Sequence, residues 1–452
     1  MTATTPTRER PARGPLREIG RWSRLDSAAR RDLVERGLGQ LYDGTLREGI
    51  VALIEDVRVR GDAAIADALH RFDGCTVSRD ALRIEQVEID EAHRAVSPLV
   101  MAALEDAIDH VRRFNETLCE QGDWSFESDP GLIVGEKVTP VDSVGLFVPS
   151  GKGSFPSVLV QLAVPAIVAG VRRIVVIVPP LPGSDGEVDP AVLAVCSLLG
   201  LHDVFRVNGP AGIAALAFGT DSIPKVRMVV GPGSPAVTCA QVEVQRYGTV
   251  TTMVLGPTES MVIADETADV RLLAADLLNE AEHGSDSASL LVTTSEVLLA
   301  SAQEEVARQL ALLPEPRRTY AADALGINGG AVLVDSLSEA AEVANAYAPE
   351  HLQVSISRVD EILGLLVDAG EILIGQDTPF SAANYVLGCP ASLPTSGFAK
   401  VSGGVTADTF RKRIGVARAD RGALRAVRNT VVALARHEGF PAHEAAVAAR
   451  DD

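Results

Sequence analysis

Two acid/base pairs and two glycine-rich turns are the parts of this sequence that could do chemistry. Glu280 and His283 lie three residues apart near the end of a helical stretch, so both side chains can point to one side. A carboxylate and an imidazole so placed form a common half-site for Zn²⁺ or a similar divalent ion, a surface ion pair being the other reading. Glu350 and His351 follow a proline turn. Adjacent residues there point in different directions, which suits two separate proton-transfer tasks; the alternative is a helix-capping glutamate beside an exposed histidine. The turns Val148-Pro149-Ser150-Gly151-Lys152-Gly153-Ser154 and Gly231-Pro232-Gly233 each link a strand to a helix. Helix N-termini present free N–H groups, so either turn can cradle an anion or be a plain tight turn. Neither has the GxGxxG or the Walker spacing.

The elements that must hold these residues alternate. Strands are expected at 143–148, 173–178, 202–207 and 226–230, with helices at 157–170, 190–199 and 235–246. The same rhythm continues with strands at 261–263, 289–293, 331–334 and 371–374 and a helix at 269–282. Alternating βαβ segments imply a parallel, doubly wound sheet, here in two halves that look like diverged copies of one unit. Residues 1–18 read as a disordered arm. Residues 19–142 read as a helical region with short strands near 122–140, carried by the spacing of Leu33, Leu38, Leu41, Ile50, Val51, Ile54 and Val57. Residues 143–257 and 258–400 are the two α/β units. The last, 401–452, reads as a small helical domain rich in Arg and Ala.

Bulk composition narrows the classes. At 452 residues more than one core is expected, and the net charge of −20 argues against a nucleic-acid partner. Five cysteines without a CxxC pair fit neither a disulfide framework nor a zinc finger, and point to a reducing, cytoplasmic setting. No secretory leader is read at the N-terminus. The most apolar stretch, 157–171, contains Gln161 and Pro165 and is too short to span a bilayer, so no membrane association is expected.

Read in order, the segments resemble the histidinol dehydrogenase family. The resemblance is carried by 144–149 (VGLFVP), 212–220 (GIAALAFGT), Gly231-Pro232-Gly233, Gly256-Pro257-Thr258-Glu259, the helix end at 276–286, Ala348-Pro349-Glu350-His351-Leu352, Leu393-Pro394-Thr395 and 438–443 (EGFPAH). They run colinearly through nearly the whole chain. The resemblance implies two incomplete Rossmann-like domains flanked by small ones, an aldehyde dehydrogenase-like fold. It implies a homodimer in which the C-terminal segment of one subunit completes the site of the other. It also implies NAD and Zn²⁺ as cofactors, and oxidation of an amino alcohol through an aldehyde to an amino acid. Carried over by position, His351 takes the alcohol proton and contacts substrate, and Glu350 activates the water that hydrates the aldehyde. Thr258, Asn384, Ala391 and Glu438 fall at substrate-contacting positions, and Phe147, Ala211 and Ser234 at NAD-contacting ones.

The departures concentrate at these positions. The family's metal ligands are Gln, His, Asp and His; here they are Glu280, His283, Asn384 and His443. Carboxylate and amide have changed places while the summed ligand charge stays at minus one, which argues that a metal, Zn²⁺ by its two-nitrogen, two-oxygen set, is retained. A pocket-side histidine of the family is Ala391. The NAD-contacting Tyr, Gln and Asn are Phe147, Ala211 and Ser234, leaving Lys152 and Ser154 as possible new phosphate contacts. These changes lead to the expectation of a shifted substrate, a small polar primary alcohol. The alternatives are authentic histidinol oxidation and a non-redox, metal-dependent protein that no longer uses NAD.

Overall fold

Near-continuous runs of Val, Ile and Leu make strands that must be covered on both faces, and helices cover them. The computed structural model describes residues 15–36, 43–150, 153–251 and 256–450; residues 1–14 of the expected arm, Leu38, Leu41, Gly151 and Lys152 lie outside them. The chain enters through β1 (Glu18–Arg21) and later lays down the hairpin β2 (Trp124–Asp129) and β3 (Leu132–Pro140). The first parallel sheet follows, from β4 (Ser143–Phe147), β5 (Arg173–Val178), β6 (Asp203–Arg206) and β7 (Met228–Val230), in the order β6-β5-β4-β7. The second contains β8 (Glu259–Ala264), β9 (Ala288–Thr293), β10 (Gly330–Leu333), β11 (His351–Ser355) and β12 (Glu371–Ile374), in the order β1-β10-β9-β8-β11-β12, also parallel throughout. In both sheets the third, second, first and fourth strands of the unit stand side by side, as expected of two related doubly wound halves.

Each sheet is packed on two sides. One face of the first buries Leu159, Leu162 and Val192 of the helices Pro156–Val168 and Pro190–Leu199. The other buries Ile54, Ile213 and Val237 of Gly44–Arg60, Gly209–Phe218 and Pro235–Val244. Around the second sheet, Leu277 and Leu299 pack on one face, and Trp22, Leu33 and Val343 on the other. No described helix is long and apolar enough to cross a membrane.

Two expectations are corrected. The N-terminal region is not only helical before residue 122: Glu18–Arg21 pairs with β10 as an edge strand of the second sheet, a four-residue segment too short to show a period. The C-terminal segment is not all helical either. Arg411–Ala419 forms β13, antiparallel to β3 from Arg411↔Pro140 to Ala419↔Leu132, before the helices Arg421–Glu438 and Pro441–Ala448. Arg and Ala favour helix locally, but Ile414 and Val416 fall on one face of a strand and the open edge of β3 decides the conformation.

Candidate active site

The helix Leu337–Tyr347 ends at Ala348, which takes a left-handed φ of 51°, rare for a residue with a side chain and a common form of strain at functional sites. Pro349 then leads straight into β11, so Glu350 and His351 fall at the amino end of a central strand. In parallel register His351 stands between Ser260 of β8 and Glu371 of β12. The backbones come unusually close here: a Cβ at Gly370 would lie 2.5 Å from the Glu350 carbonyl oxygen.

The carboxylate of Glu350 is buried and accepts the Glu259 backbone N–H at 2.9 Å. Burial pushes its acid up to about 8, against the opposing pull of His351. His351 Nδ1 lies 2.5 Å from Glu371 Oε1, and its Nε2 is 3.8 Å from Glu350 Oε1. Burial alone would push His351 down, but the charges of Glu280 and Glu350 and the hydrogen bond to Glu371 outweigh it and raise it to about 10. The Phe380 ring meets the imidazole edge-on at 5.8 Å. Behind Glu350, Glu259 is itself buried, its acid raised by desolvation against the pull of Arg36. Arg36 Nη2 donates to Glu259 Oε2 at 2.5 Å, and its guanidinium lies 3.1 Å from the Tyr347 ring centroid.

A second cluster lies where the helix Val270–Ala281 ends. Glu280, 1% exposed, accepts Nδ2 of Asn384 at 2.7 Å and of Asn279 at 2.8 Å, while His283 Nδ1 lies 3.4 Å from its other oxygen. Burial would raise this carboxylate, but the imidazoles of His283 and His351 and the two amides hold it below its ordinary range. At the carboxyl edge of the first sheet, the loop after β4 approaches this end of the second unit. A Cβ at Gly153 would sit 3.4 Å from Arg317 Nη2, and Arg317 Nη1 donates to the Glu282 carbonyl at 2.9 Å. Gln161 Oε1 accepts the Ala391 N–H at 3.4 Å.

The histidinol dehydrogenase family model matches residues 40–451. The chain belongs to the histidinol dehydrogenase family. It is similar to a histidinol dehydrogenase homolog of Colwellia psychrerythraea, 39% identical over 434 residues that cover 95% of this chain and 96% of that protein. A histidinol dehydrogenase of Synechocystis sp. is 40% identical over 400 residues, 88% of this chain and 92% of the other. The crystal structure of histidinol dehydrogenase from Elizabethkingia anophelis superposes with a TM-score of 0.90 at 28% identity, covering 97% of this chain and 99% of that one. The family's enzymes are NAD- and Zn²⁺-dependent oxidoreductases that carry an alcohol through to an acid in two steps.

For this family's metal, the residues present fit. Glu280 is a buried, ionised carboxylate, and beside it stand an imidazole and an amide able to present its oxygen once turned over. Among the described residues no three His, Cys, Asp or Glu side chains of the chain gather closely enough to hold a metal. His443 is not with the others: it is exposed on Pro441–Ala448, its ring 5.1 Å from Phe440. Glu438, at the end of Arg421–Glu438, is exposed as well. Thr258 is half-buried and immediately precedes β8, at the edge that carries Glu350.

The expected cofactor positions divide. Phe147 is 3% exposed and its ring lies under the Gly209 and Gly233 backbones, while Ala211 has no exposed surface. Both are expected from the sequence to contact NAD; in the structure both side chains are buried beneath the backbone of these turns, as befits an aromatic ring and a methyl. Ser234 is exposed at the start of Pro235–Val244 and its side chain makes no cap hydrogen bond, so its hydroxyl is uncommitted. Sequence reasoning missed Glu371, Phe380 and Arg36. Glu371 had a signal, an acidic residue opening an otherwise apolar strand; Arg36, 223 residues from Glu259, had none.

Proposed function

We propose that this chain oxidises histidinol through the aldehyde to histidine, using NAD and Zn²⁺. The observation that carries the chemistry is the buried Glu350–His351 pair at the amino end of β11, with separate partners for each group. The choice of histidinol is supported by the relatives, named histidinol dehydrogenase or its homolog and spanning most of the chain. NAD⁺ would accept the hydride in both steps, and Glu280, His283 and Asn384, with His443 of a second copy, would hold the Zn²⁺ that would anchor the substrate. In the first step His351 takes the hydroxyl proton through Nε2 as the carbinol hydride leaves. In the second, Glu350 removes a proton from water as it adds to the aldehyde, and the hydrate gives up the second hydride.

A homodimer is part of this reading. Its support is the exposure of the segment that carries Glu438 and His443: Ile414 and Val416 on β13, Leu434 on the following helix, and Phe440. A second substrate reading, another small polar alcohol, is favoured by one observation. Ala391 leaves a short side chain beside Gln161 where the family has an imidazole. Expression in a strain lacking histidinol dehydrogenase decides between them. Growth on histidinol, with histidine formed by the purified enzyme, supports the first reading; no growth, with turnover of another alcohol and NAD, supports the second.

A further inference from the structure

We propose that Glu371 is a positioning residue for the alcohol-oxidation step: it fixes His351 as the Nδ1–H tautomer and so leaves Nε2 as the atom that accepts the substrate proton.

The placement is built by the backbone. Glu371 and His351 are register partners at the first positions of β12 and β11. The Gly370 N–H donates to the Pro349 carbonyl at 2.9 Å and the Glu371 N–H to the Glu350 carbonyl at 3.1 Å. With no Cβ at Gly370, nothing keeps the two chains apart. Glu371 Oε1 lies 2.5 Å from His351 Nδ1, and Cys389 Sγ donates to Oε2 at 3.5 Å, so both oxygens are occupied.

A carboxylate has no hydrogen to give, so the hydrogen between these atoms belongs to Nδ1. The ring then turns Nε2 away from Glu371 and toward Glu350. Glu371 is 8% exposed, and among the described residues its side-chain partners are one imidazole and one thiol. Burying a carboxylate without Lys or Arg is costly, and a serine or glutamine would pack there more cheaply. Its carboxylate matters when His351 takes a proton and becomes a cation, because the charge then arises 2.5 Å from a fixed anion.

The inference rests on the proposed two-step oxidation, and its test has an arm that does not. Glu371→Gln keeps the shape but offers an NH₂ that can turn the ring to the Nε2–H tautomer. Glu371→Ala opens a space that formate can enter. With Zn²⁺, NAD⁺ and histidinol, both variants should lose about 10- to 100-fold in kcat for the alcohol step, with KM little changed. Oxidation of supplied histidinal should be largely retained, and formate should restore part of the Ala variant's rate. In ¹⁵N-histidine spectra of the intact protein followed up a pH series, the His351 signal, assigned through its loss in His351→Asn, should show the ring as Nδ1–H in the parent once its second proton has left, and should change in Glu371→Gln. Equal loss of both steps, no response to formate, or an unchanged ring signature in Glu371→Gln would overturn the proposal. If neither histidinol nor histidinal is turned over, the functional reading fails while the ring signature still decides the role of Glu371.

Discussion

Asn384 Nδ2 donates to the buried Glu280 carboxylate at 2.7 Å, so the two proposed metal ligands that differ from the family pattern touch each other. An amide beside a carboxylate is the arrangement a reciprocal exchange leaves behind: one negative charge on the pair, whichever residue carries it. The position of that charge relative to His283 has changed, while its amount has not.

The exchange predicts a pattern across three variants. Glu280→Gln removes the charge and should weaken Zn²⁺ binding by at least about tenfold, since a neutral amide replaces a hard anionic ligand. Asn384→Asp puts a second, half-buried carboxylate 2.7 Å from the buried Glu280 and should destabilise the metal-free protein. The double variant should recover most of the metal content and stability. Metal analysis and chelator competition on the purified proteins check this; a double variant as poor as the sum of the singles would show that the positions do not compensate.

Glu350 predicts a pH profile. Burial raises its acid to about 8, so near neutral pH it largely holds a proton, and the base that activates water is the minority form. The aldehyde step should therefore rise as pH increases and level off above that range. A carboxylate at its ordinary value would already be flat there. Glu350→Gln should abolish the rise and slow aldehyde oxidation by about 10²–10⁴-fold, with a smaller effect on the alcohol step. Stopped-flow measurement of NADH formation from supplied aldehyde separates the two.

Arg36 predicts a stability change behind the Glu350–His351 pair. Its ion pair with the buried Glu259 is largely shielded from water, the two side chains being 13% and 5% exposed, and the Glu259 backbone N–H is the donor to Glu350. Arg36→Ala leaves that carboxylate charged without its cation, a change that costs about 3–5 kcal/mol for buried pairs. Urea denaturation should show a lower midpoint, and Glu259→Gln in the Arg36→Ala background should restore part of the loss.

The sequence made the scaffold more legible than the site. Strands such as Arg173–Val178 and Ala288–Thr293 announce themselves because burial on both faces demands unbroken apolar runs. Glu350, His351, Glu280 and His283 are visible because their spacing is local. The partners that give them meaning arrive through tertiary packing: Glu371, 20 residues from His351, by parallel strand pairing, and Asn384, 104 residues from Glu280, by helix against helix, distances at which no periodicity speaks. Arg411–Ala419 went astray for the same reason. Its strand state is set by β3, more than 270 residues earlier in the chain, and not by its own helix-favouring composition.

Ser234 gives a last test, on the cofactor side. It caps Pro235–Val244 at the carboxyl edge of the first sheet, is exposed, and makes no side-chain cap bond, while Phe147 and Ala211 lie sealed beneath the cradle. Of the three proposed cofactor positions it alone is exposed to a ligand without repacking. Ser234→Asn restores the amide expected there and adds a donor and an acceptor. One such hydrogen bond contributes about 0.5–1.5 kcal/mol, so the dissociation constant for NAD⁺ should fall by roughly 2- to 10-fold. The gain should appear in titration calorimetry with the melting temperature of the free protein nearly unchanged, because Ser234 supports no buried contact. Replacing Phe147 by Tyr should do the reverse, burying an unpaired hydroxyl among Gly209, Gly233 and Val237 and lowering stability without tightening NAD⁺. If Ser234→Asn leaves NAD⁺ affinity unchanged while Phe147→Tyr raises it, the ligand approaches from the β4 side and this division of the cradle is wrong.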